Sequence, residues 1–524
     1  MKKLFKIFTI LLVVSLMSMT VACSSGSSDS GNNGDASVVD TINIEVTTAP
    51  VGMHPLKTND TPSAMLAGQM FETLYNRSYD GTTYEPALAA ALPEFSDDGL
   101  TATIKLREGV TFQDGTPFTS AAVAYLIDSL KDPEYGSMRP SIVESIDSYE
   151  LPDDNTIVLH LAYADGVLIA KLAHSNACIV NPELDKTKDL LVDPAGAGTG
   201  PYQLTSAVTG STYTLEAYDG YWGGTPDINT IKFDVIADEA TAVARLQTGE
   251  ADLYTTVSAN SFNTVSNIPD YTAVNETSSA IYYLVLRSNE ATSVNPLMAN
   301  LEFRKAIIEA IDFDSYTTNM MEGKASYSKS IVGPTLVGYT EAMDDAAIPY
   351  DPEAAKATIE ANGWTGQAVT MLCATREWQQ DLAVYIQAEL AKVGITLNIV
   401  SEEWASFLSS AKEDKKGDII MLSWSNVTGD GQQMLEPNFS TTNGLRVKYN
   451  NAEFDAMVEA SAKTTVLEER QAAMLEAVQK IQGDAIVAPI YSNNQLYVYN
   501  SAKFSNILMD KGGLIYVKDF KVVK

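Results

Sequence analysis

Residues 382–399, LAVYIQAELAKVGITLNI, contain the change of hydrophobic period that decides the fold class. Apolar residues first recur at the spacing of a helix, at Leu382, Tyr385, Ile386, Leu390 and Val393. Gly394 then predicts the end of that helix. The following residues alternate as a strand does, with Ile395, Leu397 and Ile399 on one face. Because a helix that stops at glycine and leads into a strand is typical of α/β packing, we predict an α/β fold.

Strands and helices alternate elsewhere in the chain as well. A turn at 97–99 precedes a predicted strand at 100–106. Thr119 and Ser120 are candidate caps of a helix whose apolar stripe is Val123, Leu126, Ile127 and Leu130. The run 418–422, DIIML, predicts a strand buried on both faces that leads into a loop at 423–431. In α/β sheets, ligands bind beyond the carboxyl ends of strands, so this loop is a candidate binding loop.

The first twenty-two residues have the three parts of an export signal. Lysines precede an apolar run at 7–17 that is too short to favour a permanent membrane span, and small residues end at Ala22. Cys23 follows where bacterial lipoproteins carry their acylated cysteine, although Thr20 stands where leucine is usual. Together with Cys23, the Ser-, Gly- and Asn-rich segment that follows predicts a lipidated, flexible tether over 23–40. The alternative is ordinary secretion with Cys23 as a leftover thiol.

Length and charge restrict the class of protein. A chain of 524 residues is too long for one hydrophobic core and sufficient for two or three domains. A formal net charge of -32 opposes binding to nucleic acid and to anionic lipid headgroups. Beyond Cys23, only Cys178 and Cys373 are present, each among apolar neighbours. We therefore predict two buried free thiols in preference to a disulfide.

The usual signatures of catalysis and cofactor binding are missing from the sequence. The three histidines, His54, His160 and His174, form no HExxH motif and no pair at metal-ligand spacing. The chain has no GxxxxGK[ST] phosphate loop and no GxSxG motif. We therefore predict a protein that is not an enzyme and that carries no cofactor and no resident metal.

A second block, residues 97–118, reads DDGLTATIKLREGVTFQDGTPF. It resembles, almost word for word, the signature of the family 5 bacterial extracellular solute-binding proteins, which serve peptide, glutathione and nickel importers. The resemblance runs from about residue 41 to the last strand. Its other matching segments are GTGPY at 198–202, YWGGTP at 221–226, LQTGEAD at 246–252, FRKA at 303–306 with AID at 310–312, YDPEAAK at 350–356 with GW at 363–364, and IQAEL at 386–390.

This resemblance implies a two-lobed fold of the periplasmic-binding-protein type (type II, cluster C), in which crossing strands join the lobes and the ligand cleft lies between them. Lobe I would comprise residues 41–278, with an additional subdomain at about 76–195. Lobe II would comprise residues 279–488, and residues 489–524 would return to lobe I. Gly198 and Gly200 beside Pro201 would suit a chain that passes tightly between the lobes.

The candidate binding loop at 424–431, with its continuation to Phe439, resembles the glutathione-binding branch of the family. A short peptide and a γ-linked tripeptide each carry an ammonium and a carboxylate, so the cleft needs an acid and a cation. By resemblance to dipeptide binders, Asp430 would hold the ammonium group; the alternative is a solvated turn carboxylate. For the carboxylate, the resemblance leaves Arg139 and Arg376 both open.

Six further residues are candidate cleft contacts. Trp404 and Trp424 could wall the cleft with flat apolar surface or could be core packing. Met53, His54, Asn59 and Asp60 lie after the first predicted strand, where family members reach the cleft, although an isolated histidine such as His54 is more often structural.

The resemblance implies a monomeric transport receptor on the outer face of the cell membrane, anchored through Cys23. It would bind a small peptide-like solute, close around it and deliver it to ABC permease subunits, with no nucleic acid partner. Two alternatives stay open on the same fold: a receptor for nickel or a metal chelate, and a lipoprotein that senses a peptide pheromone.

Overall fold

The structure is a computed structural model that describes residues 40–426 and 428–524. The predicted export signal, the predicted acylation site Cys23 and all but the last residue of the predicted tether lie outside the described residues. No helix in the described part of the chain is long and apolar enough to cross a membrane.

The described chain contains nineteen strands. Their bounds are β1 Thr41–Val46, β2 Tyr75–Arg77, β3 Tyr84–Pro86, β4 Glu94–Phe95, β5 Thr101–Lys105, β6 Ile146–Asp153, β7 Thr156–Leu161, β8 Tyr202–Val208, β9 Thr212–Ala217, β10 Thr230–Val235, β11 Leu253–Tyr254, β12 Tyr271–Leu286, β13 Ala325–Tyr327, β14 Ala368–Ala374, β15 Thr396–Glu402, β16 Ile419–Ser425, β17 Val487–Asn500, β18 Phe504–Ser505 and β19 Lys521–Val522.

The described chain also contains fourteen α-helices, which lie between the strands in sequence. Their bounds are α1 Thr61–Ala67, α2 Ser120–Lys131, α3 Leu168–Leu172, α4 Pro182–Thr187, α5 Glu239–Thr248, α6 Ala259–Val265, α7 Leu301–Glu309, α8 Phe313–Ser315, α9 Pro352–Ala361, α10 Glu377–Lys392, α11 Trp404–Ser410, α12 Gln432–Phe439, α13 Ala452–Lys463 and α14 Leu467–Gly483.

One sheet of eleven strands dominates the fold. Its order is β15-β14-β16-β12-β17-β11-β1-β10-β9-β8, and β13 also pairs with β17. A separate four-stranded sheet has the order β4-β5-β7-β6. Parallel pairing of β14 with β15 and with β16 gives the mixed α/β architecture that the sequence predicts, so the fold-class prediction is confirmed.

The two long strands β12 and β17 run antiparallel through the middle of this sheet. Residues 271–277 of β12 pair with 494–500 of β17, on the side where β17 also pairs with β11. Residues 281–285 of β12 pair with 487–492, on the side where β12 also pairs with β16. Between these two stretches, from Thr277 to Ile281, the register shifts and the ladder is interrupted. The strand pair therefore joins two parts of the sheet across an irregular segment.

The buried apolar residues form separate clusters on either side of this segment. The first cluster combines residues between 42 and 253 with residues between 497 and 520. The second and third clusters contain residues between 281 and 491. A small fourth cluster packs residues between 242 and 268 against Leu496 and Val498. We call residues 40–278 the N-terminal part and residues 279–488 the central part.

Several local predictions are confirmed. The predicted strand at 100–106 is β5, the helix and strand within 382–399 are α10 and β15, and the buried run at 418–422 belongs to β16. Thr119 is the N-cap of α2, but its side chain makes no capping hydrogen bond. Cys178 and Cys373 are buried and free, as expected.

The two glycines beside Pro201 lie close to the backbone of Met70. A Cβ on Gly198 would lie 1.9 Å from the carbonyl oxygen of Met70, and a Cβ on Gly200 would lie 2.6 Å from it. Met70 belongs to the first cluster, which is also the one that contains Ala197. These glycines therefore allow close packing inside the N-terminal part.

Candidate functional site

The carboxyl ends of β14, β15 and β16 meet at one edge of the sheet, because the three strands are parallel neighbours. Arg376 follows β14 as the N-cap of α10, and Trp404 begins α11 after β15. The loop that contains Asp430 follows β16. The structure thus brings three of the sequence-predicted residues to the edge where α/β proteins bind ligands.

Arg376 and Trp404 form a stacked pair at this edge. The Cζ atom of Arg376 lies 3.4 Å from the centroid of the Trp404 ring, which is cation–π geometry. Trp404 in turn stacks on Phe407, with ring centroids 5.6 Å apart. Trp424 lies on β16, where it pairs with Ile281 of β12, and it is partly buried against the third cluster. Both tryptophans therefore take part in core packing, and neither lines the cavities described below.

A cavity of about 590 Å³ lies around the interrupted segment of β12. We call it the main cavity. Both the N-terminal and the central part contribute to its lining, as do residues that follow 488. Its lining residues include Thr61, Met65, Thr255, Ser278, Ser279, Ala280, Tyr282, Met321, Lys324, Trp378, Asn426, Tyr491, Gln495, Lys511 and Gly512.

An aromatic wall forms one side of the main cavity. Tyr282 stacks on Tyr491 with ring centroids 4.6 Å apart, and the edge of Trp378 meets Tyr282 at 4.7 Å. Asn493 donates a hydrogen bond to the Tyr282 hydroxyl at 2.9 Å. Burial raises the pKa of Tyr282, and Arg376 opposes this shift, which places the Arg376 charge near the wall.

Two lysines supply positive charge to the same cavity. Lys324 is almost fully buried, and its Nζ lies 2.8 Å from a carboxylate oxygen of the exposed Glu322. Lys511 lies 3.2 Å from Glu276. Since each lysine has a single carboxylate neighbour that is partly in solvent, an anionic ligand group would meet cations whose charge is incompletely neutralised.

A smaller chamber, of about 120 Å³, adjoins the main cavity, and Thr61 and Gly512 line both. We call it the side chamber. Asn59 and Asp60 line it, as the sequence predicts for the segment after the first strand. Its other polar lining groups are Thr58, Asn76, Arg77, His174, Ser175, Asn176, Thr428, Asp510 and Tyr516.

His174 presents a neutral N–H group to the side chamber. Its Nδ1 accepts a hydrogen bond from the backbone N–H of Asn176 at 3.0 Å, so the proton of the neutral ring resides on Nε2. Burial and the charges of Arg139 and Arg77 lower the pKa of His174 to about 4. At neutral pH, therefore, this side chain is an uncharged donor.

Arg139 and Asn59, two of the residues predicted to contact the ligand, are hydrogen-bonded to each other beside this chamber. Arg139 Nε donates a hydrogen bond to Asn59 Oδ1 at 3.2 Å. Arg139 is not among the residues that line the chamber, although its charge acts on His174. Asp60 caps α1 by accepting a hydrogen bond from the Ser63 backbone N–H through Oδ1.

Asp430 has a partner within the protein. Its carboxylate is fully buried, and Oδ1 lies 2.7 Å from Nη2 of Arg470 and accepts from the Gln432 backbone N–H at 3.0 Å. Asp430 lines neither the main cavity nor the side chamber. The expectation of a solvated turn carboxylate does not fit this burial, and the ammonium-binding role stays a prediction.

Met53 and His54 are core residues. Met53 is buried in the first cluster. His54 is buried, with Nε2 donating to Asp185 Oδ1 at 2.8 Å and Nδ1 accepting from the Leu56 backbone N–H at 3.2 Å. Both ring nitrogens of His54 are thus used internally, in line with the structural alternative.

The sequence patterns did not single out several cavity residues. They are Arg77, Tyr282, Trp378 and the adjacent pair Asp510 and Lys511, which come from four segments and line the two cavities only through folding. For His174, which lines the side chamber, the sequence does contain a signal: the segment Leu172-Ala173-His174 resembles the glutathione-binding branch.

Known proteins similar to this chain are extracytoplasmic binding proteins. Heme-binding protein A of Haemophilus influenzae is 26% identical over 488 residues, which cover 87% of this chain and 84% of the relative. Glutathione-binding protein GsiB of Pectobacterium atrosepticum is 26% identical over 458 residues, covering 84% and 86% respectively.

A solved structure shows the same fold. HbpA2 from Haemophilus parasuis aligns with a TM-score of 0.84 at 22% identity, over 92% of this chain and 100% of that one. The sequence model of the bacterial extracellular solute-binding proteins, family 5, matches residues 83–446, which is more than half of the chain. On this match, the chain belongs to the family 5 bacterial extracellular solute-binding proteins.

Proposed function

We propose that this chain is the substrate-binding component of an ABC importer and that it captures a short peptide or a glutathione-like solute in the main cavity. The observation that carries the proposal is the position of a 590 Å³ cavity around the strands that join two parts of the sheet. Its volume falls within the range of about 300–1,000 Å³ that is usual for small-molecule sites. The relative named for glutathione binding supports a peptide-like solute.

We propose further that the N-terminal and central parts are two lobes, at 41–278 and 279–488, with residues 489–524 returning to the first. The separate apolar clusters support this division, and so does the packing of residues 497–520 in the first cluster. Ser278, Ser279 and Ala280 lie where the β12 ladder is interrupted, and they line the cavity. A strand that lacks ladder hydrogen bonds bends more easily, so this segment is the proposed hinge.

The lining of the main cavity suits a zwitterionic solute with an apolar portion. Lys324 and Lys511 would attract a carboxylate, and the wall formed by Tyr282, Tyr491 and Trp378 would contact apolar side chains. Closure would remove water from the cavity and strengthen the interaction between the lysines and the carboxylate. The bound solute would leave unchanged, because capture makes and breaks no covalent bond.

The proposed partner is a pair of permease subunits in the membrane, which receive the solute from the closed form. A lipid on Cys23 would hold the monomeric protein at the outer face of the cell membrane. The tether up to residue 40 would let the folded part move over that surface.

Isothermal titration of the full chain against reduced glutathione, glutathione disulfide and a dipeptide set tests the proposal. We expect at least one of these solutes to bind, to be recovered unchanged and to reduce the radius of gyration in small-angle scattering. A solute at about a hundred times its Kd should also add about 2.7 kcal/mol to the free energy of unfolding. Binding without any change in the radius of gyration would exclude closure, and conversion of the solute would exclude a pure receptor.

Two tryptophan variants test the location of the site. Trp378→Ala removes part of the cavity wall and should weaken binding about tenfold or more, since a well-packed aromatic contact contributes at least about 1.4 kcal/mol. Trp404→Ala is the matched control, because Trp404 lies at the same sheet edge but outside the cavity lining. An equal loss of affinity in the two variants would indicate that the solute also contacts the Arg376–Trp404 pair.

Heme, and nickel with histidine, belong in the same titration, because one relative is named for heme and nickel receptors share the family. If only heme or nickel with histidine binds, the proposed solute is a metal chelate and not a peptide. Binding of none of the ligands would contradict the proposed function itself.

A further inference from the structure

The side chamber is too small to hold a whole tripeptide. Its volume of about 120 Å³ falls below the usual range for a complete ligand site, but it suits a head group of a few non-hydrogen atoms. Because Thr61 and Gly512 line both spaces, a ligand in the main cavity can extend one end into the chamber. Gln495, which lines the main cavity, donates to the backbone carbonyl of Asp510 in the chamber at 2.8 Å.

Two side chains with N–H donors, His174 and Arg77, line this chamber. His174 is 8% exposed, its Nδ1 is used by the turn, and its Nε2–H has no hydrogen-bond acceptor among the described residues. Arg77 lies close by, since a methyl group on Gly512 would come within 3.3 Å of its Nη2. Nη1 of Arg77 is buried and lacks a hydrogen-bond partner in the part of the chain that the structure describes. Nη1 is covered by Gly429, so a ligand in the chamber would meet the Nε2–H of His174 and the Nη2 side of Arg77.

Two carboxylates face the same space. Asp510 is 7% exposed, and its Oδ1 accepts from the backbone N–H groups of Gly512 and Leu514 at 2.8 and 2.9 Å. Asp60 uses Oδ1 to cap α1. In each case we find no hydrogen-bond donor to Oδ2 and no ion-pair partner among the described residues. An ammonium group in the chamber would therefore meet available carboxylate oxygens.

The chamber also contains a contact between the two parts of the protein. Thr428, from the central part, lines it, and Tyr84 of β3 donates to the Thr428 carbonyl at 3.2 Å. Arg77 of β2 packs on Gly429, where an added Cβ would lie 1.8 Å from Nη1. A head group held by Arg77 would thus lie directly at the seam between the two parts.

Donors for a carboxylate and acceptors for an ammonium occur together in a space that fits only a few atoms. An ordinary α-linked peptide presents these charges at opposite ends of its chain. A γ-linked glutamyl residue presents both on one carbon, as a free amino acid does. We propose that the side chamber binds a free α-amino-acid head group, so that the protein selects γ-linked over α-linked peptides. This inference rests on the proposed function and specifies its substrate class.

The probe is γ-glutamyl-α-aminobutyryl-glycine, and its comparison is the α-glutamyl isomer. The two tripeptides have the same atoms and net charge, and neither has a thiol that could oxidise. Titration of the full chain should show at least about tenfold tighter binding of the γ-linked isomer, because only this isomer places its ammonium and a carboxylate together in the chamber.

Three variants examine the chamber directly. His174→Asn keeps an oxygen that can accept from the Asn176 N–H but removes the Nε2–H donor, and His174→Gln restores a donor near the Nε2 position. Asp510→Asn keeps the acceptor for Gly512 and Leu514 but removes the negative charge. Asp238→Asn is the matched control, because Asp238 also accepts from a backbone N–H but caps the exposed helix α5.

We expect His174→Asn and Asp510→Asn to weaken binding of the γ-linked isomer about tenfold or more, with part of the loss recovered in His174→Gln and no loss in Asp238→Asn. Thermal unfolding of each variant confirms that it is folded. Equal affinities for the two isomers, or chamber variants that bind like the wild type, would overturn the proposal while the main cavity keeps its role. Failure of both isomers to bind, with binding of another peptide, would also overturn it and leave the proposed function in place.

Discussion

Arg470 neutralises the buried carboxylate of the binding loop. Its Nη2 lies 2.7 Å from Oδ1 of Asp430, and its Nε donates to the Ser461 carbonyl at 3.1 Å. Both side chains of the ion pair are almost fully buried. Removing one member of such a pair leaves an uncompensated charge in a medium of low polarity.

We predict that Arg470→Met lowers the free energy of unfolding by about 3–5 kcal/mol. Lys463→Met is the control, because Lys463 and its partner Glu459 are more than half exposed and such pairs contribute about 0–1 kcal/mol. Urea unfolding followed by circular dichroism measures both variants. Similar small losses in the two would mean that the charge of Asp430 does not depend on Arg470 for compensation.

Glu45 shares one guanidinium with two other acids. Arg245 Nε lies 2.6 Å from Glu45, Nη2 lies 2.6 Å from Asp234, and Nη1 lies 3.7 Å from Glu250. Glu45 is fully buried in β1, and this burial, opposed by its bond to Arg245, raises its pKa to about 7. One positive charge therefore serves three carboxylates, of which Glu45 is the most desolvated.

This pKa shift predicts a pH dependence of stability. Since the pKa in the folded state lies above the unfolded value of 4.5, the folded state keeps the proton over the interval between the two. The contribution of Glu45 is thus greatest below pH 4.5 and is lost as the pH rises to about 7. Glu45→Gln should gain about 1–3 kcal/mol relative to the wild type over this interval. Urea unfolding of both proteins at a series of pH values measures this difference. A difference in unfolding free energy that does not change with pH would contradict the prediction.

At the scale of elements, the β2–β3 hairpin docks on the loop after β16 at a glycine. Gly429 has φ of +74°, and a Cβ there would lie 1.8 Å from Arg77 Nη1. The neighbouring Gly431 N–H donates to the Val337 carbonyl at 2.8 Å, which fixes the loop against the central part. Hairpin and loop can therefore meet closely only while residue 429 has no side chain.

We predict that Gly429→Ala destabilises the protein and weakens solute binding, because it displaces Arg77 from the side chamber. Gly210→Ala is the control, with φ of +75° and no atom within 4 Å of the added Cβ. Both variants carry the backbone strain of about 1–2 kcal/mol, and only Gly429→Ala also forces the flexible end of the Arg77 side chain to shift. Thermal unfolding and titration separate the two effects. Equal behaviour of the variants would show that the hairpin moves freely.

At the scale of the whole molecule, the described chain has its N-terminal strand β1 in the middle of the large sheet, between β11 and β10. Residues 497–520 pack in the first cluster, so both ends of the described chain belong to the N-terminal part. A tether on β1 would therefore attach to a single side of the proposed hinge. Motion of the other side would be unrestricted by the membrane.

We predict that Cys23→Ser releases the protein from the membrane fraction without changing its affinity for solute. Cell fractionation measures the first effect, and titration of the released protein measures the second. Cys178→Ser is the control for general loss of a thiol, since Cys178 is buried and free. Retention of the Cys23→Ser variant at the membrane would contradict lipid anchoring at this residue.

The sequence could predict the site only in part, for reasons visible at single positions. Asn59 and Asp60 line the side chamber, because the segment after the first strand lies at the carboxyl edge of the sheet. Arg376 and Trp404 lie at the carboxyl ends of β14 and β15, strands that run antiparallel to β1, and they stack on each other outside the cavity lining. No local pattern indicates that Arg470, forty residues further along the chain, pairs with Asp430.

The sequence by itself determined the α/β class, the family and the loop that follows a buried strand at 418–422, because hydrophobic period, glycine stops and short motifs depend on neighbouring residues. The tertiary structure alone decided which side chains line the two cavities. Arg77, His174 and Asp510 come together from segments that are far apart in the chain, and the burial of Asp430 depends on a partner from α14. Such choices are set by packing between distant elements, which leaves no periodic trace in the sequence.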